Sequence, residues 1–220
     1  MKSLETKVGN RRRRESGFSL IEMLTVVAIV IIMASITFIS MVPVMKQYRV
    51  ANAYNTAMAA MRQARDNAIS QRTSYSVTFT HTSTTNTITV TPTLTTFQGD
   101  QTTRTYQLPT DVAFLAQTGF PSIGPDGYGT GVNAIDFGYT ANGLGTGGQS
   151  TFYFCPDGSA QDAEGTAGAC AGSWDGGVVY IGRASDLMSS RAITLWGGTG
   201  RIRGWRLYGN GSGGYQWVRQ

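Results

Sequence analysis

The stretch that decides the fold reads Arg11-Arg12-Arg13-Arg14-Glu15-Ser16-Gly17-Phe18-Ser19-Leu20-Ile21-Glu22-Met23-Leu24 and stays apolar to Val44. From Phe18 to Val44 it carries one charge, Glu22. As a helix this run is about 40 Å long, enough to cross a hydrocarbon core of about 30 Å. The arginines before it and the sparse charge after it set the N-terminus on the cytoplasmic side. A secretory signal peptide has a shorter apolar core followed by small residues at its cleavage site. Here the run is longer and passes into Met45-Lys46-Gln47-Tyr48-Arg49, so the segment is read as retained. A plain single-pass anchor has these features too.

Outward from that run, the charge separates into parts. The chain has 220 residues, 18 of them Lys or Arg and 13 Asp or Glu, for a net charge of +5. Residues 1–17 account for +4 of this, leaving the remainder at +1. Acids dominate from Asp100 to Asp186, whereas Arg191, Arg201, Arg203, Arg206 and Arg219 follow with no acid after Asp186. With 41% hydrophobic and only 14% charged residues, the composition excludes a highly charged disordered chain. The 28 glycines show no collagen period, which excludes a fibrous class.

Past Val44 a helical pattern continues. Val44, Tyr48, Ala51, Tyr54, Met58, Met61, Ala64 and Ala68 recur at spacings of four and three, predicting one apolar stripe on a helix that reaches to about residue 72. Pro43 is expected to kink this helix without ending it. The rest reads as β. Ser74–Phe79 and Thr87–Thr91 alternate polar with apolar, and further strands are expected at Ala134–Tyr139, Ser150–Phe154, Gly177–Ile181, Ala192–Trp196 and Ile202–Tyr208. The fold class is α+β: a long N-terminal helix, half transmembrane and half amphipathic, packed on a β-rich head. The expected division is 1–17 as a leader, 18–45 as the membrane segment and 46–220 as the head.

The junction around Gly17 resembles the type III signal of type IV pilins and type II secretion pseudopilins: a basic leader, Gly17, Phe18, then Glu22 as the fifth residue of the mature chain. The resemblance implies that a prepilin peptidase cuts between Gly17 and Phe18 and that Phe18 is N-methylated. It further implies a single-pass inner-membrane protein with a periplasmic head, later assembled with other pilins into a pilus or pseudopilus. A carboxylate in the membrane costs about 2.5–3.5 kcal/mol on insertion scales, so Glu22 needs a partner or an interfacial position. The amine freed at Phe18 of a neighbouring subunit supplies such a partner in a filament.

Three landmarks are similar to the GspH/FimT group: Met61-Arg62-Gln63-Ala64-Arg65-Asp66-Asn67-Ala68-Ile69, Phe154-Cys155-Pro156-Asp157-Gly158, and Gly200-Arg201-Ile202-Arg203. In FimT-like minor pilins the Gly-Arg-x-Arg element binds DNA during uptake for natural transformation, which implies that role for Arg201 and Arg203. Arg206 and Arg191 join them on charge alone. In an extended strand Arg201 and Arg203 share a side about 6.7 Å apart, within reach of successive backbone phosphates. Basic residues on a solvated edge strand, discouraging strand association, explain the same pattern without DNA. Trp205, Trp217 and Tyr215 add surfaces on which bases or arginines can stack, with core packing the expectation for the two tryptophans.

Cys155 and Cys170 are the only cysteines. Outside the cytoplasm they are free to oxidise, and a bond closing this loop contributes about 3 kcal/mol in the chain-entropy model. With His81 the sole histidine, a metal site is not expected, nor is a cofactor or an enzymatic constellation. The acids between Asp100 and Asp186 read as a solvated face. Gly143–Gly148 and Gly209–Gly214 match Gly-x-Gly-x-x-Gly, but neither opens a helix, so both read as flexible loops. Two functions follow: a DNA-contacting minor pilin, or a GspH-like pseudopilin or minor pilin that primes filament assembly. An anchored enzyme lacks a catalytic set.

Overall fold

A computed structural model describes residues 17–93, 102–129, 131–139, 147–163 and 170–220. The leader up to Ser16 and Gly143–Thr146 lie outside the described residues. The chain divides into two units, Met1–Val44 and Met45–Gln220.

Helix α1 runs without interruption from Leu20 to Gln71, through Pro43. Every residue from Gly17 to Met45 is exposed. This part of the helix is long and apolar enough to cross a membrane.

From Met45 onward the helix packs on the head. Its buried positions are Val50, Ala53, Tyr54, Ala57, Ala60, Met61, Ala64 and Ala68. The expected stripe thus holds from Tyr54, Met61, Ala64 and Ala68, while Val44 and Tyr48 are exposed. The physical reason is close approach. A row of alanines lets the sheet backbone come near the helix, and a pattern weighted by side-chain size favours the large residues instead.

The head has two antiparallel sheets. The first orders β3 (Arg104–Gln107), β2 (Asn86–Pro92), β1 (Tyr75–His81), β6 (Thr151–Phe154) and β7 (Ala160–Gln161). The second orders β11 (Tyr215–Arg219), β10 (Arg201–Gly209), β9 (Asp186–Trp196), β8 (Gly176–Arg183) and β4 (Ala113–Phe114), with β5 (Ile135–Tyr139) also paired to β8. One core joins the helix to both sheets through residues such as Met61, Phe79, Phe152, Ile181 and Ile193. The reverse face of the second sheet carries an aromatic cluster that includes Tyr128, Tyr180, Phe120, Trp205 and Trp217. Strand β8 is therefore covered on both faces, which accounts for its continuous apolar run Val178-Val179-Tyr180-Ile181.

All seven expected strands are present. The short strands β3, β4 and β7 and the edge strand β11 are additional. Gly209–Gly214 is a structured turn and not the expected flexible loop: Asn210 Oδ1 accepts the backbone N–H groups of Ser212 and Gly214 at 3.0 and 2.9 Å. That turn closes the β10–β11 hairpin.

Cys155 and Cys170 form a disulfide, with Cα atoms 5.8 Å apart. The expected acidic face is corrected at Asp136 and Asp175, both buried. Each carboxylate accepts a backbone N–H: Gly148 N–H, in the loop after β5, to Asp136 at 2.7 Å, and Gly138 N–H, at the irregularity in β5, to Asp175 at 2.6 Å.

Candidate nucleic-acid interface

The Gly-Arg-x-Arg element opens β10 at the tip of the β9–β10 hairpin. Gly197–Thr199 form a single tight turn, and Gly200 follows in the left-handed region at φ 58°. A Cβ on Gly200 would lie 2.0 Å from the carbonyl oxygen of Gly158, in the turn where Gly158 N–H donates to Cys155 O, so only glycine allows the two turns to touch. Arg65 on the helix ties them together. Its Nε donates to Gly158 O and its Nη2 to Thr199 O, each at 3.1 Å. The hairpin tip is thus anchored to the helix through a side chain far away in sequence.

Register sets the directions of the arginines. Arg201 lies opposite Trp196, Arg203 opposite Thr194 and Arg206 opposite Arg191. Arg201 and Arg203 share one face by alternation, while Arg206 and Arg191 share the face toward the helix. The four residues therefore form two pairs on opposite faces of the sheet.

Their availability differs. Arg201 is exposed, has no ion pair among the described residues, and borders a cleft of about 510 Å³ lined also by Arg62, Arg65, Asp66, Thr199 and Gly200. The side chain of Arg203 is 26% exposed, and its Nη1 lies 2.5 Å from Asp126 Oδ1. Thr194 Oγ1 donates to the other Asp126 oxygen at 2.6 Å and accepts from Trp205 Nε1 at 3.0 Å. Arg203 is thereby tied into a side-chain network under the aromatic cluster. Tyr128, two residues beyond Asp126, has its hydroxyl pushed up to about 12, by burial first and by Asp126 and Asp175 next.

The guanidinium of Arg191 stacks over the Tyr54 ring at 5.3 Å and that of Arg206 over the Tyr208 ring at 5.1 Å. Burial, and then the neighbouring Arg206, lowers the Arg191 pKa below the ordinary arginine value. Two like charges side by side offer an anion a favourable position, but Arg191 is partly covered by the helix.

Two aromatic residues absent from the expected site stand at this hairpin. Trp174 and Trp196 are 54% and 39% exposed, while Trp205 and Trp217 pack in the aromatic cluster as expected. A tryptophan directly before a Gly-Gly turn is the signal for Trp196. Nothing local points to Trp174 or to Asp126.

Gly17, Phe18 and Glu22 are exposed, and Glu22 stands in the first turn of α1, where the helix dipole favours a negative charge. Among the described residues no group of three or more His, Cys, Asp or Glu side chains could hold a metal ion.

No curated protein and no solved structure matches the chain. Residues 12–38 match the prokaryotic N-terminal methylation motif, which covers Arg12 to Arg14, Gly17, Phe18, Glu22 and most of the apolar run. That motif indicates a substrate of prepilin peptidase, and with the one apolar helix it fits a single-pass inner-membrane protein. The motif and the α+β fold together support a type IV pilin-like protein, a pilin or a pseudopilin.

Proposed function

We propose that this chain is a minor type IV pilin of the FimT kind that contacts DNA without sequence preference during uptake for transformation. The observation that carries the reading is Arg201: exposed, without an ion pair among the described residues, and held at a hairpin tip beside Arg62 and Arg65. Its guanidinium is free to take a phosphate oxygen with two parallel hydrogen bonds. Arg203 stands on the same face as a secondary contact, restrained by Asp126. Arg191 and Arg206 make a separate basic pair on the other face.

In this reading the leader is removed between Gly17 and Phe18, Phe18 is N-methylated, and the head faces the periplasm before assembly. So few phosphate contacts give affinities of about 10⁻⁴–10⁻⁶ M, and function then depends on several copies in one filament.

The test is DNA binding as a function of salt, using the full chain in lipid nanodiscs. Arg201→Ala flattens the log–log salt slope on duplex DNA by about 0.9, and Arg203→Ala flattens it less. Binding that is unchanged in the double variant removes the site. The alternative, a GspH-like pseudopilin or minor pilin that primes assembly, draws support from the Arg203–Asp126–Thr194–Trp205 network, which gives Arg203 a structural role without DNA. Absence of DNA binding by the wild-type chain favours that alternative.

A further inference from the structure

Trp174 and Trp196 flank the hairpin that carries Arg201, and a phosphate contact makes no use of them. Trp196 is the last residue of β9, directly opposite Arg201. One side of its ring meets Tyr128 edge-on, with centroids 5.8 Å apart, and 39% of the residue remains exposed. Trp174 is 54% exposed. A Cβ on Gly198 would lie 3.6, 3.7 and 3.9 Å from three carbons of the Trp174 six-membered ring, so the bare Gly198 backbone covers one ring face. More than half of the residue is exposed, which leaves indole surface for a further contact.

We infer that the hairpin tip is a platform for single-stranded DNA, with Trp174 and Trp196 stacking unpaired bases while Arg201 takes the adjoining phosphate. This rests on the DNA reading above and narrows its substrate class. Base–aromatic stacking is tolerant of sequence because every base has a π face. In a duplex those faces are already stacked on neighbouring bases, so the exposed rings favour strands with unpaired bases.

Charge agrees with a polyanion. Asp126 is neutralised by Arg203, and Arg62 and Arg65 add two further cations in the cleft beside Arg201. The opposing acids are Asp66 in the same cleft, Asp162, whose Oδ1 accepts the Ser173 N–H at 2.8 Å, Asp157 in the turn at Gly158, and the buried Asp175, whose backbone lies against Gly197.

The experiment compares an oligothymidylate of about twelve nucleotides with a duplex of the same length, binding to the full chain in nanodiscs. Intrinsic tryptophan fluorescence and anisotropy of the labelled strand are the readouts. The expected result is quenching by the single strand and tighter binding of it than of the duplex. Trp174→Ala and Trp196→Ala each weaken single-strand binding about fivefold to hundredfold and change duplex binding by less than about twofold. Trp174→Phe and Trp196→Phe restore most of the affinity, which separates stacking from a folding defect, and Arg201→Ala weakens both ligands.

If Arg201→Ala weakens both ligands but neither tryptophan variant changes either, the phosphate site stands and the stacking platform is overturned. A wild-type chain that binds neither ligand overturns the DNA reading and this inference together. Alanine variants that bind the single strand normally but fail to enter filaments assign the tryptophans to a subunit contact, which also overturns it.

Discussion

Asp175 is 1% exposed, accepts the Gly138 N–H through Oδ1 and leaves Oδ2 without a partner among the described residues. Burial raises its pKa from 3.8 to about 7; the Gly138 hydrogen bond opposes this rise and nearby Asp162 adds to it. The sign of the linkage follows. Between about pH 4 and 7 the unfolded chain has lost this proton while the folded chain still holds it, so stability falls as pH rises through that window. Below it both states are protonated, and above it the loss is complete. Chemical denaturation from pH 4 to 8 is expected to show a steeper decline for the wild type than for Asp175→Asn, which keeps the acceptor for Gly138. Identical slopes would assign the decline to other groups. Nothing in Trp174-Asp175-Gly176 announces a buried carboxyl, because its acceptor geometry comes from a glycine in another strand.

The decisive pair of elements is the head half of α1 and strand β10. The strand crosses the helix at Gly204, where a Cβ would stand 1.5 Å from the Tyr54 hydroxyl and 2.5 Å from the Met58 methyl. The glycine makes room for the aromatic ring and allows Ile202 to pack onto the core beside it. Gly204→Ala forces Tyr54 to shift and is expected to lower stability by roughly 1–3 kcal/mol, measured as a fall in the denaturation midpoint at unchanged slope. The helix and the strand are both legible from residue periodicity. Their contact is not, since it depends on a gap in β10 meeting a projection on α1 from a distant part of the chain.

For the whole molecule, the apolar half of the helix carries no buried residue up to Met45, and a single acid interrupts it. Glu22→Ala removes the one carboxylate between Phe18 and Val44, which the proposed reading pairs with a neighbour's terminal amine. The expected outcome is normal insertion of the variant into membranes, seen by fractionation, with loss of its incorporation into filaments. Wild-type levels of incorporation would rule out the pairing. The cost of a charge in lipid makes a lone acid in an apolar run readable without coordinates.

By itself the sequence determined the long apolar helix, the methylation motif and the α+β class, because transfer free energy and the helical and strand periods are properties of neighbouring residues. It also placed Arg201 on a hairpin and set Arg203 on the same face by alternation. Only the tertiary structure decided which of these charges is available. Asp126 reaches Arg203 across a separation of 77 residues, Arg65 grips the hairpin tip across 134, and Trp174 is left open beside a glycine turn. Charge composition shows that arginines are present, but whether each is paired or free depends on contacts between segments that only folding brings together.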